Sequence, residues 1–398
     1  MIALLLPVIG ASSPEPNPPK WPDSVHVFSP GDDGECASVA AKIFETNGGM
    51  DSNGQFVSSR HALLFKPGTY SCAVPVGYYT QVRGGLDLNL TLQAQMKAIL
   101  KAILKANLEG CAQGYLEGCQ GYLKEGYLGA FKSYFSLYHI QVLGLGSSPD
   151  EVVFTDSKGV HCQEAGKAPS PGALDTFWRS AENFKTEADY DWITDKGMLW
   201  AVSQAAPLRR VHVTHSLMLT EVVPNVGAGY ASGGFLADSL VDGIIQAGGQ
   251  QQWLTRNVQA GAWKDGAWSR VFVGVEGAPD ARCGGGSGNM VVVPKTPTIA
   301  EKPYIAFDEV AKWTLRVPAL RTASSGTSWT AGAGPSSSDA VYSFTQVYVA
   351  TAADSAAAIN KKLDAGLHVV LSPGIYKLDA TLQLSTPNQV LLGLGLAT

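Results

Sequence analysis

The sequence predicts an all-β fold, a parallel β-helix, from three observations. Charged residues make up only 16% of the 398 positions while glycine occupies 44, a composition poor in solvated helix faces and rich in tight turns. Strand-like segments recur at spacings of about 18 to 24 residues, close to one coil of a β-solenoid. A unit of strand, helix, strand and turn also occurs twice. Stacked parallel strands account for all three observations, and the alternative is a β-sandwich with irregular loops.

The doubled unit predicts the start of two separate stacks. In the first copy, VHVFSPGDD begins at Val25, VAAKIFETNGG follows as a helix, and HALLFKPGTY begins at His61. In the second copy, VYVATAADS begins at Val347, a helix follows the predicted N-cap Asp354, and HVVLSPGIY begins at His368. A helix that covers the open edge of a first coil is how a parallel β-helix begins, so each copy predicts a capped start.

Further strand-like segments follow the first copy and predict the body of its stack. They are RRVHVTHSLML near Val211, SGGFLADSLV near Phe235, QQQWLTRNV near Trp253 and WSRVFVGV near Val271. The segment VHVTHSLML alternates with the period of two that is typical of a strand.

Composition divides the chain into four regions. Residues 1–22 hold a candidate signal peptide and linker, 23–290 the first β-helix, 291–340 an extended linker, and 341–398 the incomplete start of a second β-helix. The apolar opening MIALLLPVIG lacks a positively charged beginning and is interrupted by Pro7. Secretion is therefore an expectation that depends on a weak signal.

Residues 83–141 interrupt the first β-helix with a low-complexity insertion. KAIL, LEGC and GYL recur within it, and Met96, Ile99 and Leu100 share one face of a predicted helix. We expect a mostly helical segment that is looped out between two coils or is an artefact of the gene model. The alternative is a helix that lies on a membrane surface.

Charge and cysteine content argue against several classes of protein. A formal net charge of −5 and a pI near 5.8 give no basic stripe for nucleic acid or an anionic membrane. No apolar run reaches the roughly 20 residues that span a bilayer. We predict no metal site and no cofactor, because the six cysteines show neither CxxC spacing nor histidine-rich partners. One or two disulfides are expected, but their pairing stays open.

Four motifs are long and ordered: ALDTFWRSAENF at 173–184, MLWAVSQAAPLRRVHV at 198–213, ASGGFLADS at 231–239 and QQQWLTRN at 250–257. Together they resemble glycoside hydrolase family 55. The resemblance covers most of the chain outside the first 20 residues and the insertion. It implies two right-handed, pectate-lyase-like parallel β-helices side by side, with an active cleft between them. It also implies exo-acting hydrolysis of a β-glucan, the β-1,3-glucan laminarin, with inversion.

Inverting hydrolysis requires a carboxylic acid on the leaving oxygen and a polar group that positions water on the opposite face. The resemblance implies that Gln204 and Ser232 hold this water. It places the general acid in the second β-helix, which this chain only begins, so we expect weak hydrolysis or none. No spacing selects a replacement among the local carboxylates Asp156, Glu164, Asp238 and Glu276.

Two of these motifs, ALDTFWRSAENF and QQQWLTRN, supply candidate substrate-binding residues. Trp178 and Trp253 either offer flat faces to a sugar or pack in the core. Arg179, Glu182 and Asn183 either bind sugar hydroxyls or serve the fold, with Arg179 and Glu182 as an ion pair.

The run Gln250, Gln251 and Gln252 either lines a substrate site or forms amide ladders along the solenoid. Two other functions stay open for the whole chain. One is a non-catalytic β-helix that binds glycans or cell walls. The other is a polysaccharide lyase, which would require a basic residue and usually an acidic calcium site that the sequence does not display.

Overall fold

The computed structural model describes residues 14–46, 58–75, 140–162, 176, 179–223, 227–264, 269–279, 289–332 and 338–394. The insertion 83–141, apart from its last two residues, lies outside this part of the chain. The opening residues 1–13 and the predicted site residue Trp178 lie outside it as well.

The first part of the chain forms strands β1–β19 and helix α1. In chain order they are β1 (Val25–Phe28), α1 (Asp33–Thr46), β2 (His61–Phe65), β3 (Gly68–Tyr70), β4 (Val74–Pro75), β5 (Ile140–Gly144), β6 (Val152–Phe154), β7 (Val160–His161), β8 (Arg179–Thr186), β9 (Gly197–Leu199), β10 (Ser203–Val213), β11 (Ser216–Met218), β12 (Val222–Val223), β13 (Gly227–Ala228), β14 (Gly233–Ala237), β15 (Leu240–Gln246), β16 (Gln252–Arg256), β17 (Gln259–Lys264), β18 (Ser269–Val273) and β19 (Asn289–Val293).

The later part forms β20–β27 and α2, which we call the second unit. Its elements are β20 (Thr296–Ile299), β21 (Tyr304–Asp308), β22 (Lys312–Val317), β23 (Arg321–Ser324), β24 (Ala340–Ser343), β25 (Val347–Ala350), α2 (Ala356–Asp364), β26 (His368–Leu371) and β27 (Leu391–Gly393). Short 3-10 helices cover Pro149–Glu151 and Phe344–Gln346.

The predicted parallel β-helix is confirmed in the first part. Strands β1, β2, β5, β8, β10, β14, β16, β18 and β19 pair in this order, each in parallel, and form what we call the first sheet. Strands β9, β11, β15 and β17 form a second face. The β-sandwich alternative is wrong, since sandwiches are built from antiparallel sheets.

One register runs along the first sheet and defines its inner side. Leu63, Val142, Ala181, Leu208, Leu236, Thr255 and Phe272 are successive partners in this register, and all are buried. Because side chains alternate along a strand, each neighbouring residue points to the outer side. This alternation decides which candidate site residues reach the surface.

A ladder of left-handed residues turns each coil from the first sheet to the second face. Asn183, Arg210, Asp238, Asn257 and Gly274 follow one another on consecutive coils, with φ values of 60°, 50°, 50°, 50° and 62°. Asparagine, aspartate and glycine tolerate this conformation best, since a short polar side chain or the absence of Cβ lowers its cost. We call these residues the corner ladder.

The first copy of the doubled unit has the predicted capped start. Helix α1 buries Cys36, Ala40 and Ile43, and Cys36 forms a disulfide with Cys72. The Tyr70 hydroxyl donates to the Phe28 and Lys66 carbonyl oxygens at 3.1 and 2.9 Å. These bonds hold the turn after β2 against β1.

The second copy repeats this arrangement with one correction. The Tyr376 hydroxyl donates to the Ala350 and Ser372 carbonyl oxygens at 2.9 and 3.0 Å, as Tyr70 does in the first copy. The predicted N-cap Asp354 is wrong: Ser355 caps α2 by accepting the Ala358 N–H, while Asp354 accepts the Thr351 N–H at 2.7 Å. A serine one residue closer to the helix reaches the free N–H, and the aspartate closes the preceding turn.

The second unit packs on the outer side of the first sheet. Residues 296–343 form antiparallel pairs, and β25, β26 and β27 form a short parallel stack. Leu64, Leu145, Trp313, Phe344 and Val370 belong to one buried core that joins the two parts. No helix in the described ranges is long and apolar enough to cross a membrane.

Candidate functional site

Gln204 and Ser232 lie on neighbouring coils at the same end of the first sheet. Ser203 is the partner of Gly233, and the Ser203 hydroxyl accepts the Ser232 N–H at 3.0 Å. Gln204 begins a bulge that ends at Pro207; it is exposed and has a φ of 51°. Ser232 is partly exposed. The bulge therefore turns the Gln204 amide to solvent beside the next coil, where the Ser232 hydroxyl lies.

Gln252 continues this arrangement on the next coil. It is exposed, and its carbonyl oxygen lies 3.0 Å from where a Cβ on Gly233 would stand. We call Gln204, Ser232 and Gln252 the polar row. Tyr230, two residues before Ser232, has an exposed fraction of 59%. Sequence reasoning did not identify Tyr230, because a lone tyrosine in a glycine-rich loop carries no periodic signal.

Gln250 is a structural residue inside the coil. Its side-chain NH2 donates to the Val202 and Leu219 carbonyl oxygens, both at 2.8 Å. Its side-chain oxygen accepts the Gly233 N–H at 2.9 Å. The amide therefore crosslinks three backbone segments beneath the polar row. Gln250 therefore belongs neither to an amide ladder nor to a substrate-site wall. The neighbouring Gln251 is only partly exposed.

Arg179 and Trp253 also point into the coil. Arg179 is 1% exposed, and its guanidinium donates to the Cys162 sulfur at 3.0 Å. Trp253 is 3% exposed and packs over Gly234, where a Cβ would stand 2.2 Å from the indole ring. A glycan at the surface of this structure reaches neither side chain. Of the two interpretations of Trp253, the structure confirms packing in the core and not a flat face offered to a sugar.

Glu182 and Asn183 line a small cleft between the first sheet and the second unit. The Glu182 carboxylate accepts two bonds from the Lys302 ammonium, at 2.7 and 2.9 Å. Strand alternation places Glu182 on the outer side and Arg179 on the inner side, so they are not neighbours on one face. The Arg210 guanidinium lies 4.2 Å from the centre of the Tyr304 ring in the same cleft.

Asn183 holds the corner ladder together. Its side-chain NH2 donates to the Gly144 and Gly146 carbonyl oxygens at 2.8 and 2.7 Å, and its oxygen accepts the Arg210 Nε–H at 3.2 Å. It is 1% exposed. The amide is thus committed to the backbone and to the next rung of the corner ladder.

Asp238 combines burial with a raised pKa, which sequence spacing did not reveal. Burial raises the pKa of its carboxyl, and Arg210, 3.2 Å away, opposes that rise. The Ser328 N–H and hydroxyl also donate to this carboxylate, and the Trp329 indole donates to the Asp238 carbonyl oxygen at 2.8 Å. A raised pKa suits a general acid. Segment 324–329 covers Asp238, however, so this carboxylate is not accessible to a sugar. Its bonds to Ser328 instead hold the second unit to the corner ladder.

The remaining local carboxylates have other partners. Asp156 accepts the Lys158 N–H at 2.9 Å, and Glu276 accepts the Ser325 hydroxyl at 3.0 Å. Glu164 lies outside the described residues. Within the described ranges, no group of three or more His, Cys, Asp or Glu residues has the arrangement of a metal site.

Together these features define a parallel β-helix with helix-capped starts and an accessible row of neutral amide and hydroxyl groups. Residues 347–398 match the family model of the LAM55 pectate lyase-like domain. The chain is 32% identical over 392 residues to an exo-β-1,3-glucanase of Streptomyces sp. (strain SirexAA-E / ActE), a match that covers 98% of this chain and 50% of the relative.

Two solved structures of sacteLam55A from Streptomyces sp. SirexAA-E are similar to the fold. One matches with a TM-score of 0.67 and 29% identity. The other, a variant in complex with glucose, matches with a TM-score of 0.68 and 30% identity. Each match covers 96% of this chain and 54% of the solved one. The chain is a parallel β-helix protein like those of glycoside hydrolase family 55, and it spans about half the length of these relatives.

Proposed function

We propose that this chain binds β-1,3-glucan through the polar row. The observation that carries the proposal is its 32% identity, over 98% of its length, to an exo-β-1,3-glucanase. The accessible neighbouring positions of Gln204 and Ser232 support it, because these are the residues that the family resemblance implies for holding water. Neutral amides and hydroxyls suit an uncharged glycan, whose own hydroxyls both donate and accept hydrogen bonds.

Hydrolysis is the weaker part of the proposed activity. Gln204 and Ser232 offer an amide and a hydroxyl that hold a water molecule, but neither supplies the proton that the leaving sugar oxygen needs. Among the described carboxylates considered above, Asp238 is covered and the other two engage nearby donors. We therefore propose that glucan binding by this chain exceeds its catalysis of glucan cleavage.

Laminarin retardation in native affinity gels tests binding, and release of reducing sugar tests hydrolysis. We expect the wild-type chain to be retarded and to release little sugar. Gln204→Ala and Ser232→Ala are each expected to weaken retardation about tenfold, because each removes a hydrogen-bonding group worth about 1.4 kcal/mol. Gln259→Ala is the matched control, since Gln259 is an exposed glutamine on the second face.

The outcome also separates the alternatives. Retardation without sugar release supports a non-catalytic glycan-binding β-helix. Cleavage that produces an unsaturated, ultraviolet-absorbing sugar end supports a lyase. An unretarded wild-type chain contradicts glucan binding altogether.

We also propose that the protein is secreted. The Cys36–Cys72 disulfide supports this, because such bonds persist in oxidising compartments and are rare in the cytosol. Recovery of the protein only from the cell interior, with both thiols free to alkylation, would contradict the proposal.

A further inference from the structure

A hairpin of residues 190–197 lies on the outer side of the second face, and we call it the Tyr190 hairpin. It connects β8 to β9. Leu199 and Met218 are strand partners on β9 and β11, and they form a buried cluster with Trp192 that is separate from the main core. Trp192 therefore covers this part of the second face and anchors the hairpin on it.

Backbone hydrogen bonds fix the shape of the hairpin. The Tyr190 N–H donates to the Ser157 carbonyl oxygen at 2.8 Å, and the Gly197 N–H donates to the Tyr190 carbonyl oxygen at 3.1 Å. The Trp192 indole N–H also donates to the Gly197 carbonyl oxygen, at 2.9 Å. A ligand that binds here meets a surface that is ordered in advance, so little conformational entropy is lost on binding.

The tip of the hairpin exposes two large apolar side chains. Tyr190 is 40% exposed and Ile193 is 58% exposed. The Trp192 ring centre and the Lys158 ammonium each lie 4.5 Å from the centre of the Tyr190 ring. These two contacts hold the tyrosine ring in place, and the exposed part of the ring is open to a ligand.

Ile193 has a backbone conformation that its side chain disfavours. Its φ is 78°, a left-handed value that is rare for a β-branched residue. The Asp191 carboxylate accepts the Ile193 N–H at 2.8 Å and stabilises this turn. A glycine would adopt the same conformation at lower cost. Because the side chain is mostly exposed, core packing does not explain the isoleucine, and such strain is typical of ligand-binding sites.

The Tyr190 hairpin lies away from the contact between the two parts of the chain. The second unit packs on the first sheet, and among the described residues the core that joins the parts includes none from the hairpin. The hairpin is close to the polar row, however. Ala201 belongs to the cluster with Trp192, and Gln204 follows three residues later. Since three residues span at most about 11 Å, one extended ligand can contact both surfaces.

The side chains around the tip suit a sugar better than a protein. Two partly exposed apolar side chains supply far less than the roughly 800 Å² per partner of a stable protein interface. One aromatic ring is enough for the apolar face of a sugar. Asp189 and Asp191 are exposed beside it and accept hydrogen bonds, and the Lys158 ammonium donates them. Sugar hydroxyls use both kinds of partner.

We propose that the Tyr190 hairpin is a second glucan-binding surface, which holds a chain that also occupies the polar row. Tyr190 and Ile193 pack on glucose rings, and the Asp189 carboxylate accepts their hydroxyls. This inference rests on the proposed function. A long glucan engages both surfaces at once, so the second contact raises the affinity through its effective concentration, whereas a trisaccharide occupies the polar row alone.

Isothermal titration calorimetry with laminarin and with laminaritriose, a fragment of three glucose units, tests the proposal. Tyr190→Ala is expected to raise the laminarin dissociation constant about tenfold, because it removes an aromatic contact. The same substitution is expected to leave the laminaritriose dissociation constant unchanged. Gln204→Ala is expected to raise both constants.

A second variant covers the case in which Tyr190→Ala does not fold. Ile193→Gly removes the side chain and relieves the positive φ, so its melting temperature should be no lower than that of the wild type. Its laminarin dissociation constant is expected to rise severalfold. Val310→Gly is the matched control and should leave laminarin binding unchanged, since Val310 is 93% exposed and lies in the second unit.

The outcomes separate this surface from the proposed function. If both hairpin variants bind laminarin as the wild type does while Gln204→Ala binds it weakly, the hairpin proposal is wrong and the polar row stands. Equal weakening of laminarin and laminaritriose in the hairpin variants also overturns it, because the hairpin would then belong to the polar-row site. A wild-type chain that binds neither ligand overturns both proposals.

Discussion

At the scale of single residues, the buried polar side chains of this protein serve the backbone more than the surface. Gln250 satisfies two carbonyl oxygens and one N–H from three segments. Asn183 satisfies two further carbonyl oxygens. A coil that turns every few residues leaves backbone groups without strand partners, and side-chain amides can both donate and accept. This explains why amide-rich motifs are a poor guide to substrate contacts here.

Replacing the Gln250 amide tests this structural role. Gln250→Leu keeps the approximate volume but leaves the Val202 and Leu219 carbonyl oxygens and the Gly233 N–H buried without their partner. We expect a loss of about 3 kcal/mol in the free energy of unfolding, measured by urea titration. Gln259→Leu, at an exposed position, is expected to change it by less than about 0.5 kcal/mol. Equal effects of the two substitutions would contradict the role.

At the scale of elements, the paired strands β1 and β2 contain a histidine pair. The nitrogen atoms His26 Nε2 and His61 Nδ1 lie 3.0 Å apart, and the rings are partly buried. Burial lowers the pKa of both, that of His61 to about 4, where the charge on His26 contributes as well. Asp23 opposes the shift at His26. The sequence showed a histidine at the start of the repeated strand but not that another histidine would face it.

This pair predicts an acid-sensitive start of the first stack. Since the folded pKa of His61 lies below its ordinary 6.5, the stabilisation is fully present above pH 6.5 and is lost as the pH falls toward about 4. His61→Gln cannot take up the proton, so the variant should lose less unfolding free energy than the wild type between these pH values. Urea titrations at several pH values measure this. His215→Gln, at an exposed position, is the control and should keep the wild-type dependence.

At the scale of the whole molecule, two features join the parts into one body. One is the shared core around Trp313 and Phe344, which packs on the outer side of the first sheet. The other is segment 324–329, whose Ser328 and Trp329 bind the Asp238 rung of the corner ladder. The composition of 291–340 predicted only an extended linker, because contacts between distant segments leave no local pattern.

Truncating the centre of the shared core tests whether the parts unfold together. Phe344 is 0% exposed and lies between Trp21 and Trp313, with ring centres 5.9 and 6.1 Å away. Phe344→Ala is expected to cost about 4 kcal/mol and to split a single calorimetric transition into two. Val341→Ala, at a position 49% exposed, should keep one transition. A single transition in Phe344→Ala would indicate that segment 324–329 alone couples the parts.

The sequence by itself determined the parallel β-helix, because a period of two within strands, a period of one coil between them and a doubled capped start are local and repeated signals. The family resemblance, and not these repeated signals, brought Gln204 and Ser232 forward, and the coil register makes them neighbours. Only the tertiary structure decided the direction of each side chain. Arg179, Trp253 and Gln250 turn inward, whereas Gln204 turns outward at a bulge, where β10 advances four residues against two on β14 and the regular alternation is interrupted. The pairing of Cys36 with Cys72 and the burial of Asp238 likewise depend on which distant coils meet, and no spacing along the chain encodes that.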